Sequence, residues 1–163
     1  MTIKDGEVFN SPTFGVLTLE KVRKKVLEFM EEEPQYKYRL VIGTDSQNKN
    51  GNETDFVSAL VVHRVGRGGI YFWRRRIEKK TYVLRAKIYQ EATLSLDLAN
   101  EFLEATKHDG ISRFDVEIHV DIGEYGETKE MINEVVGMVR GSGFAVQIKP
   151  ESYGASKVAD RHT

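Results

Sequence analysis

Residues 38–42, Tyr-Arg-Leu-Val-Ile, run without a break into Gly43, Thr44 and Asp45. A short, near-continuous run of apolar strand formers suits a central strand covered on both faces, because neither side of such a strand meets water. The run makes Asp45 conspicuous. A carboxylate at the end of the most buried segment of a chain either opens a turn, as Asp commonly does, or meets something that compensates its charge.

The rest of the chain supplies neighbours for that strand. Thr18 is placed to cap a helix in which Leu19, Val22, Val26 and Phe29 follow helical spacing, ending before Pro34. After "NKNGNET", which reads as a polar turn, residues 56–65 predict a second strand, and "GRGG" predicts a hairpin into a third over about 70–77. A long helix is expected over 84–105, broken at "KHDG". In 114–121 the pattern alternates, with Phe114, Val116, Ile118 and Val120 on one face and Asp115, Glu117, His119 and Asp121 on the other. A helix over about 128–140 closes at "GSG", a fifth strand lies in "FAVQIK" before Pro150, and a short helical stretch around 155–161 ends the order. Helix, then β-β-β-α-β-α-β-α, predicts an α/β fold with a mixed five-stranded sheet. Its antiparallel hairpin side joins a parallel side through helical crossovers. One domain over 1–163 is expected, with 1–35 as an N-terminal extension and helix.

Composition narrows the chemistry. The chain has no cysteine, which removes disulfides, thiolate catalysis and sulfur-ligated zinc and is compatible with a reducing cytosol. No basic segment followed by an apolar one opens the sequence and no stretch reaches membrane-spanning length, so a cytoplasmic protein with no membrane partner is expected. Net charge is −1, but residues 64–87 carry nine Lys or Arg against the single acid Glu78. Such a block is either a solvated face or the footprint of a nucleic-acid partner.

The acids are then weighed one by one. Asp45 and Asp121 stand at the carboxyl ends of two predicted strands, where side chains leave the core of an open α/β sheet and converge on ligands. On the long helix, Leu84, Ile88, Leu94, Leu98 and Phe102 form the apolar stripe, and Glu91 falls near its middle. Glu91 should therefore face the sheet, needing a cation, a hydrogen-bond network or exposure at the rim. The alternative is an ion pair with Lys87 one turn back. Asp97 lies off the stripe and should be solvated. Asp160, near the chain end, has Ser156, Lys157 and Arg161 as local partners.

"GTDSQ" at 43–47, "HVDIG" at 119–123 and "KPESYGASKVADRHT" at 149–163 resemble the signature segments of a family of bacterial proteins predicted to be ribonuclease H-like nucleases, over nearly the whole chain. The resemblance implies the ribonuclease H fold, with catalytic acids from the first strand, the first crossover helix, the fourth strand and a C-terminal helix. Those places are filled here by Asp45, Glu91, Asp121 and Asp160. Hard oxygen ligands of this kind suit Mg²⁺ or Mn²⁺. Two ions about 3.5–4 Å apart would support in-line phosphodiester hydrolysis, with Asp45 bridging.

Ser46 and Gln47 are placed to hydrogen-bond the scissile strand, and His119 and His162 either shuttle protons or are satisfied structural histidines. In "YFWRRR" at 71–76, aromatic rings interleave with guanidiniums, a combination that stacks bases and neutralises phosphates. Alternation puts Arg74 and Arg76 on one face as the substrate-binding pair and Arg75 on the other. The alternative is that Tyr71 and Trp73 pack the sheet while the arginines face water. RNA–DNA hybrid, single strands and branched DNA all stay open as partners, as does a binding module of the same fold without catalysis.

Overall fold

The computed structural model describes residues 8–123, 126, 129–149, 158–159 and 161–162. Among these, the elements in chain order are β1 (Phe9–Ser11), β2 (Gly15–Leu17), α1 (Leu19–Glu32), β3 (Tyr38–Lys49), β4 (Glu53–Arg64), β5 (Gly69–Glu78), α2 (Leu84–Ala105), β6 (Val116–His119), α3 (Ile132–Gly141) and β7 (Ala145–Gln147). The strands form one mixed sheet in the order β2-β1-β5-β4-β3-β6-β7. β3 runs antiparallel to β4, from Tyr38 opposite Arg64 to Lys49 opposite Glu53, and parallel to β6, from Leu40 opposite Val116 to Gly43 opposite His119. Leu40 to Thr44 are all buried, as a strand paired on both edges and covered on both faces requires. Asp45 stands two residues past the last β3–β6 pair, where β3 goes on with β4 alone.

The sheet has seven strands rather than the expected five. The additional two come from the segment read as an N-terminal extension, which folds back as the β1–β2 hairpin and joins the edge of β5 through Asn10 opposite Trp73. Phe9 and Leu17 are buried in the core, and the Phe14 ring stacks on Phe72 at 6.0 Å. Strands of three residues are too short for an alternating pattern to register. The helix that follows starts as expected: the Thr18 side chain accepts from the Lys21 amide at 3.4 Å, and Val22 and Val26 face the core.

Three further expectations need correction. The β3–β4 ladder continues through the segment read as a polar turn and closes tightly at residues 50–52, where Gly51 (φ 85°) and Asn52 (φ 58°) take left-handed conformations. Polar residues pair there because that end of the hairpin is solvated. Phe114 does not join the inner face of β6. It lies in a 3₁₀ turn at Arg113–Asp115, fixed by a capping box between Ser112 and Asp115, and is 94% exposed. Leu84, assigned to the apolar stripe of α2, is exposed because it is the helix's first residue and precedes the sheet contact. At the other hairpin, Gly69 is required by close approach, since a Cβ there would lie 2.4 Å from the Val62 carbonyl oxygen.

α2 lies against the face formed by Leu40, Ile42, Thr44 and Ser46 of β3, with Ile88, Ala92, Leu96, Ala99 and Phe102 in the core. Beside these apolar contacts runs a polar seam. Thr44 Oγ1 is 2.8 Å from both Ser58 Oγ on β4 and Ser95 Oγ on α2, all three buried. The triad satisfies its own polar groups and ties helix to sheet directly beneath the candidate site. No helix among the described residues is long and apolar enough to cross a membrane.

The packing predicts opposite outcomes for two phenylalanines. Phe102→Ala, which removes a fully buried ring, should lower unfolding free energy by about 3–5 kcal/mol in urea titration, whereas Phe114→Ala should change it by less than about 0.5 kcal/mol.

Candidate active site

Strand alternation gives successive residues of β3 opposite destinations. Ser46 points to α2 and donates a hydrogen bond of 2.5 Å to Glu91 Oε2. Asp45 and Gln47 point to the other face. Ser46 and Gln47, expected to act together, therefore sit on different sides of the sheet; Gln47 is exposed and its Oε1 accepts from Lys49 Nζ at 3.0 Å. Asp121 follows β6, on a stretch held by backbone bonds from the Val120 amide to the Gln147 carbonyl (2.9 Å) and from the Lys149 amide to the Ile122 carbonyl (2.8 Å). Extending the Gly43–His119 register by two residues brings Asp121 level with Asp45.

Glu91 is 7% exposed, facing the sheet as its place on the apolar stripe implies, while Asp97 is exposed. Burial pushes its carboxyl up to about 8. The Ser46 hydrogen bond opposes this, the charges of Asp45 and Asp121 add to it, and Lys87 exerts the smallest effect. Lys87 makes no ion pair with Glu91, so the alternative of a simple helical pair is not realised. Asp45 and Asp121 thus lie close enough to Glu91 for their charges to act on it. The expected fourth acid, Asp160, lies outside the described residues.

The donors are all oxygen, and the burial that chiefly raises the Glu91 pKa, together with the neighbouring negative charge, is what a hard divalent cation would offset, so these residues fit such an ion chemically. Among the described residues, no group of three or more acids or histidines is arranged to hold a metal ion. A lysine partly answers Asp121 instead: Lys149 Nζ lies 2.9 Å from Asp121 Oδ1. Sequence reading missed this partner, and also the hydroxyl seam, although Ser95 stands one helical turn after Glu91 just as Thr44 stands two residues before Ser46.

His119 is buried on the Asp45 face. Its Nε2 donates to Glu117 Oε1 at 2.8 Å, and Glu117 accepts twice from Arg39 at 2.8 and 3.0 Å. Burial lowers the His119 pKa against the pull of Glu117. Burial alone would raise Glu117, but the bonds from Arg39 and His119 outweigh it and hold that carboxyl below its ordinary range. His119 Nδ1 is buried and has no hydrogen-bond partner among the described residues.

The basic block is largely neutralised by acids, most of them from other elements. Arg64 pairs with Glu32 and Glu33, Arg74 with Glu101, Arg75 with Asp55, Arg76 with Glu78, Lys79 with Glu53 and Arg85 with Glu134. The two arginines expected to bind substrate differ: the Arg74 side chain is 15% exposed and lies over the Phe9 ring, whereas that of Arg76 is 58% exposed. Tyr71 and Trp73 pack against His162 from the chain end. This is the packing alternative for the rings, with Arg76 the most solvated of the three arginines.

A mixed sheet with an antiparallel and a parallel side, and acids gathered where its central strand parts from its parallel neighbour, define a class, and comparison with known proteins agrees. The chain belongs to the ribonuclease H-like family: the family described as Ribonuclease H-like matches residues 21–163. The chain is also 31% identical to the uncharacterized protein YkuK of Bacillus subtilis (strain 168) over 173 aligned residues, covering 98% of each protein. No solved structure matches it. The family match begins inside α1, so the β1–β2 hairpin lies outside it.

Glu91 carries a pH signature. Its folded pKa of about 8 lies above the ordinary 4.5, so the native state binds the extra proton and its stability advantage, complete below about pH 4.5, is lost as pH rises through 8. In chelator, Glu91→Gln should match wild type in stability near pH 4.5 and exceed it at pH 9 by roughly a few kcal/mol. Urea titrations across that range would show the two curves diverging.

Proposed function

We propose that this chain is a cytoplasmic, metal-dependent nuclease that hydrolyses phosphodiester bonds of RNA or DNA, with Asp45, Glu91, Asp121 and Asp160 as ligands of Mg²⁺ or Mn²⁺. The observation that carries the reading is the buried Glu91 carboxyl, held protonated near two further acids in a chain of the ribonuclease H-like family. A buried acid hydrogen-bonded among the described residues to a hydroxyl, with two further acids beside it, is costly unless a cation completes it. When bound, a pair of such ions supplies Lewis-acid stabilisation and an activated water for in-line displacement. The chain's own residues have defined tasks. Glu91, once deprotonated, would be a ligand kept in place by the Ser46 hydroxyl, and Asp121 would be a ligand when released from Lys149. On this reading Arg76, level with Ser46 through Phe56 in the β3–β4–β5 register, contacts the substrate strand, and Gln47 is exposed on the opposite, Asp45 face.

The second reading, a nucleic-acid-binding module without catalysis, draws on the Lys149–Asp121 ion pair, which already compensates one of the acids. The two separate in one experiment: wild type, Asp45→Asn, Asp121→Asn and Glu91→Gln against labelled RNA–DNA hybrid, single-stranded RNA, single-stranded DNA and a four-way junction, in Mg²⁺ and in Mn²⁺. The nuclease reading expects each substitution to lower cleavage by about 10²-fold or more, with melting temperature equal or higher. Binding without cleavage by wild type in either metal would establish the module.

The hairpin arginines give a further prediction. Arg76→Ala should weaken nucleic-acid binding similarly across sequences and flatten its salt dependence by about one unit of log–log slope. Arg74→Ala, by removing a largely buried side chain that pairs with Glu101, should lower melting temperature instead. Thermal denaturation together with binding at two salt concentrations distinguishes the roles.

A further inference from the structure

Residues 158–159 and 161–162 are helical and dock on the sheet face opposite α2. Ala159 is fully buried against Val57 and Ala59 of β4, with Trp73 and Val158 packed around them. A helix this short at a chain end does not hold itself, because nucleation is unfavourable and terminal turns fray. Its anchorage must come from the sheet.

Three residues of β5 provide it, spaced two apart so that all face the same way. The imidazole of His162 stacks on Trp73 with centroids 4.5 Å apart and planes 14° from parallel. Tyr71 Oη lies 3.1 Å from His162 Nε2. Arg75 donates from Nη2 to the His162 carbonyl oxygen, while its Nε reaches the buried Asp55 carboxylate at 3.0 Å, and its guanidinium lies over the Trp73 ring at 5.2 Å. Ring face, ring nitrogen and backbone oxygen of one residue are each engaged by a different side chain. The grip is also close to the candidate site: in the β3–β4 register Val57, which Ala159 covers, stands opposite Asp45.

We propose that Tyr71, Trp73 and Arg75 form a clamp that fixes the C-terminal helix against the sheet, with His162 as its key, and that these are positioning residues for the metal site. The second half rests on the function proposed above, in which Asp160, between Ala159 and Arg161 in sequence, is a ligand. The clamp gives the "YFWRRR" segment a task other than stacking nucleobases, since the Trp73 face is taken by His162 while the helix is docked. It also accounts for Asp55, a buried carboxylate that orients Arg75.

Trp73 is the chain's only tryptophan, so its fluorescence reads the clamp directly. Full-length wild type, His162→Ala and His162→Phe would be compared by emission spectrum, by the rate at which trypsin releases the C-terminal residues, and by calorimetric titration with Mn²⁺. In His162→Ala the emission should brighten and shift to the red, tryptic release should accelerate by about tenfold as local opening becomes easier, and Mn²⁺ affinity should fall by roughly tenfold, as for loss of a supporting contact around a metal site. His162→Phe, which keeps the stack, should recover most of each. Unchanged emission and release in His162→Ala would overturn the clamp. Altered emission and release with unaltered Mn²⁺ affinity would overturn the positioning role. Failure of wild type to bind Mn²⁺ would remove that role together with the nuclease reading, while emission and proteolysis still decide the clamp.

Discussion

Everything at the candidate site depends on the double pairing of β3. With β4 on one edge and β6 on the other, the strand cannot slide, and its register decides which side chains go to which face. Ser46 meets Glu91 on α2 and Thr44 meets Ser95 one turn further along the same helix, while Asp45 looks the opposite way. A slip of one residue would turn Asp45 into the core and put Ser46 among the groups on the far face. The buried hydroxyl seam resists that slip as well, because Thr44 in the wrong phase would leave Ser58 and Ser95 without a partner.

Charge is distributed on two different principles in the two halves of the sheet. On the antiparallel side several ions have a counter-ion from another element: Asp55 has Arg75, Glu101 has Arg74, and Glu33 has Arg64. Around the parallel side the answers become partial. Glu117 is satisfied by Arg39 and His119, Asp121 is met by a solvated lysine, and Glu91 has among the described residues a hydroxyl as its hydrogen-bond partner. The gradient from full to partial compensation points towards one end of β3, where the candidate site lies.

Much of this was legible in the sequence, for reasons that differ between residues. α2 spans 84–105 as its periodicity indicates, and Glu91 is buried because three and a half residues per turn leave it no other direction. Asp45 stood out because polar residues are rare at the end of so apolar a run. What stayed hidden depends on distant partners. Nothing in "VFNSPTFGVL" announces two three-residue strands, since their pairing is decided by the edge of β5 that receives them. Phe114 misled because alternation cannot show where a strand begins, and the Ser112–Asp115 capping box starts β6 two residues later. The basic block looked like a patch because most of its counter-ions come from α1, β4, α2 and α3, remote in sequence, with Glu78 beside Arg76 the exception.

The two outermost strands, β2 and β7, are each three residues long. An exposed strand edge is a row of unused amide and carbonyl groups that a second molecule can extend, and the length of that row sets how firmly an unwanted partner holds. Of the long strands, β4 has β3 on one edge and β5 on the other, while β3 has β6 beside it only over Leu40–Gly43. Among the described residues, the two outermost strands therefore offer only short templates for edge-to-edge association. On the side of β5, that short edge comes from the same N-terminal hairpin that lies outside the family match.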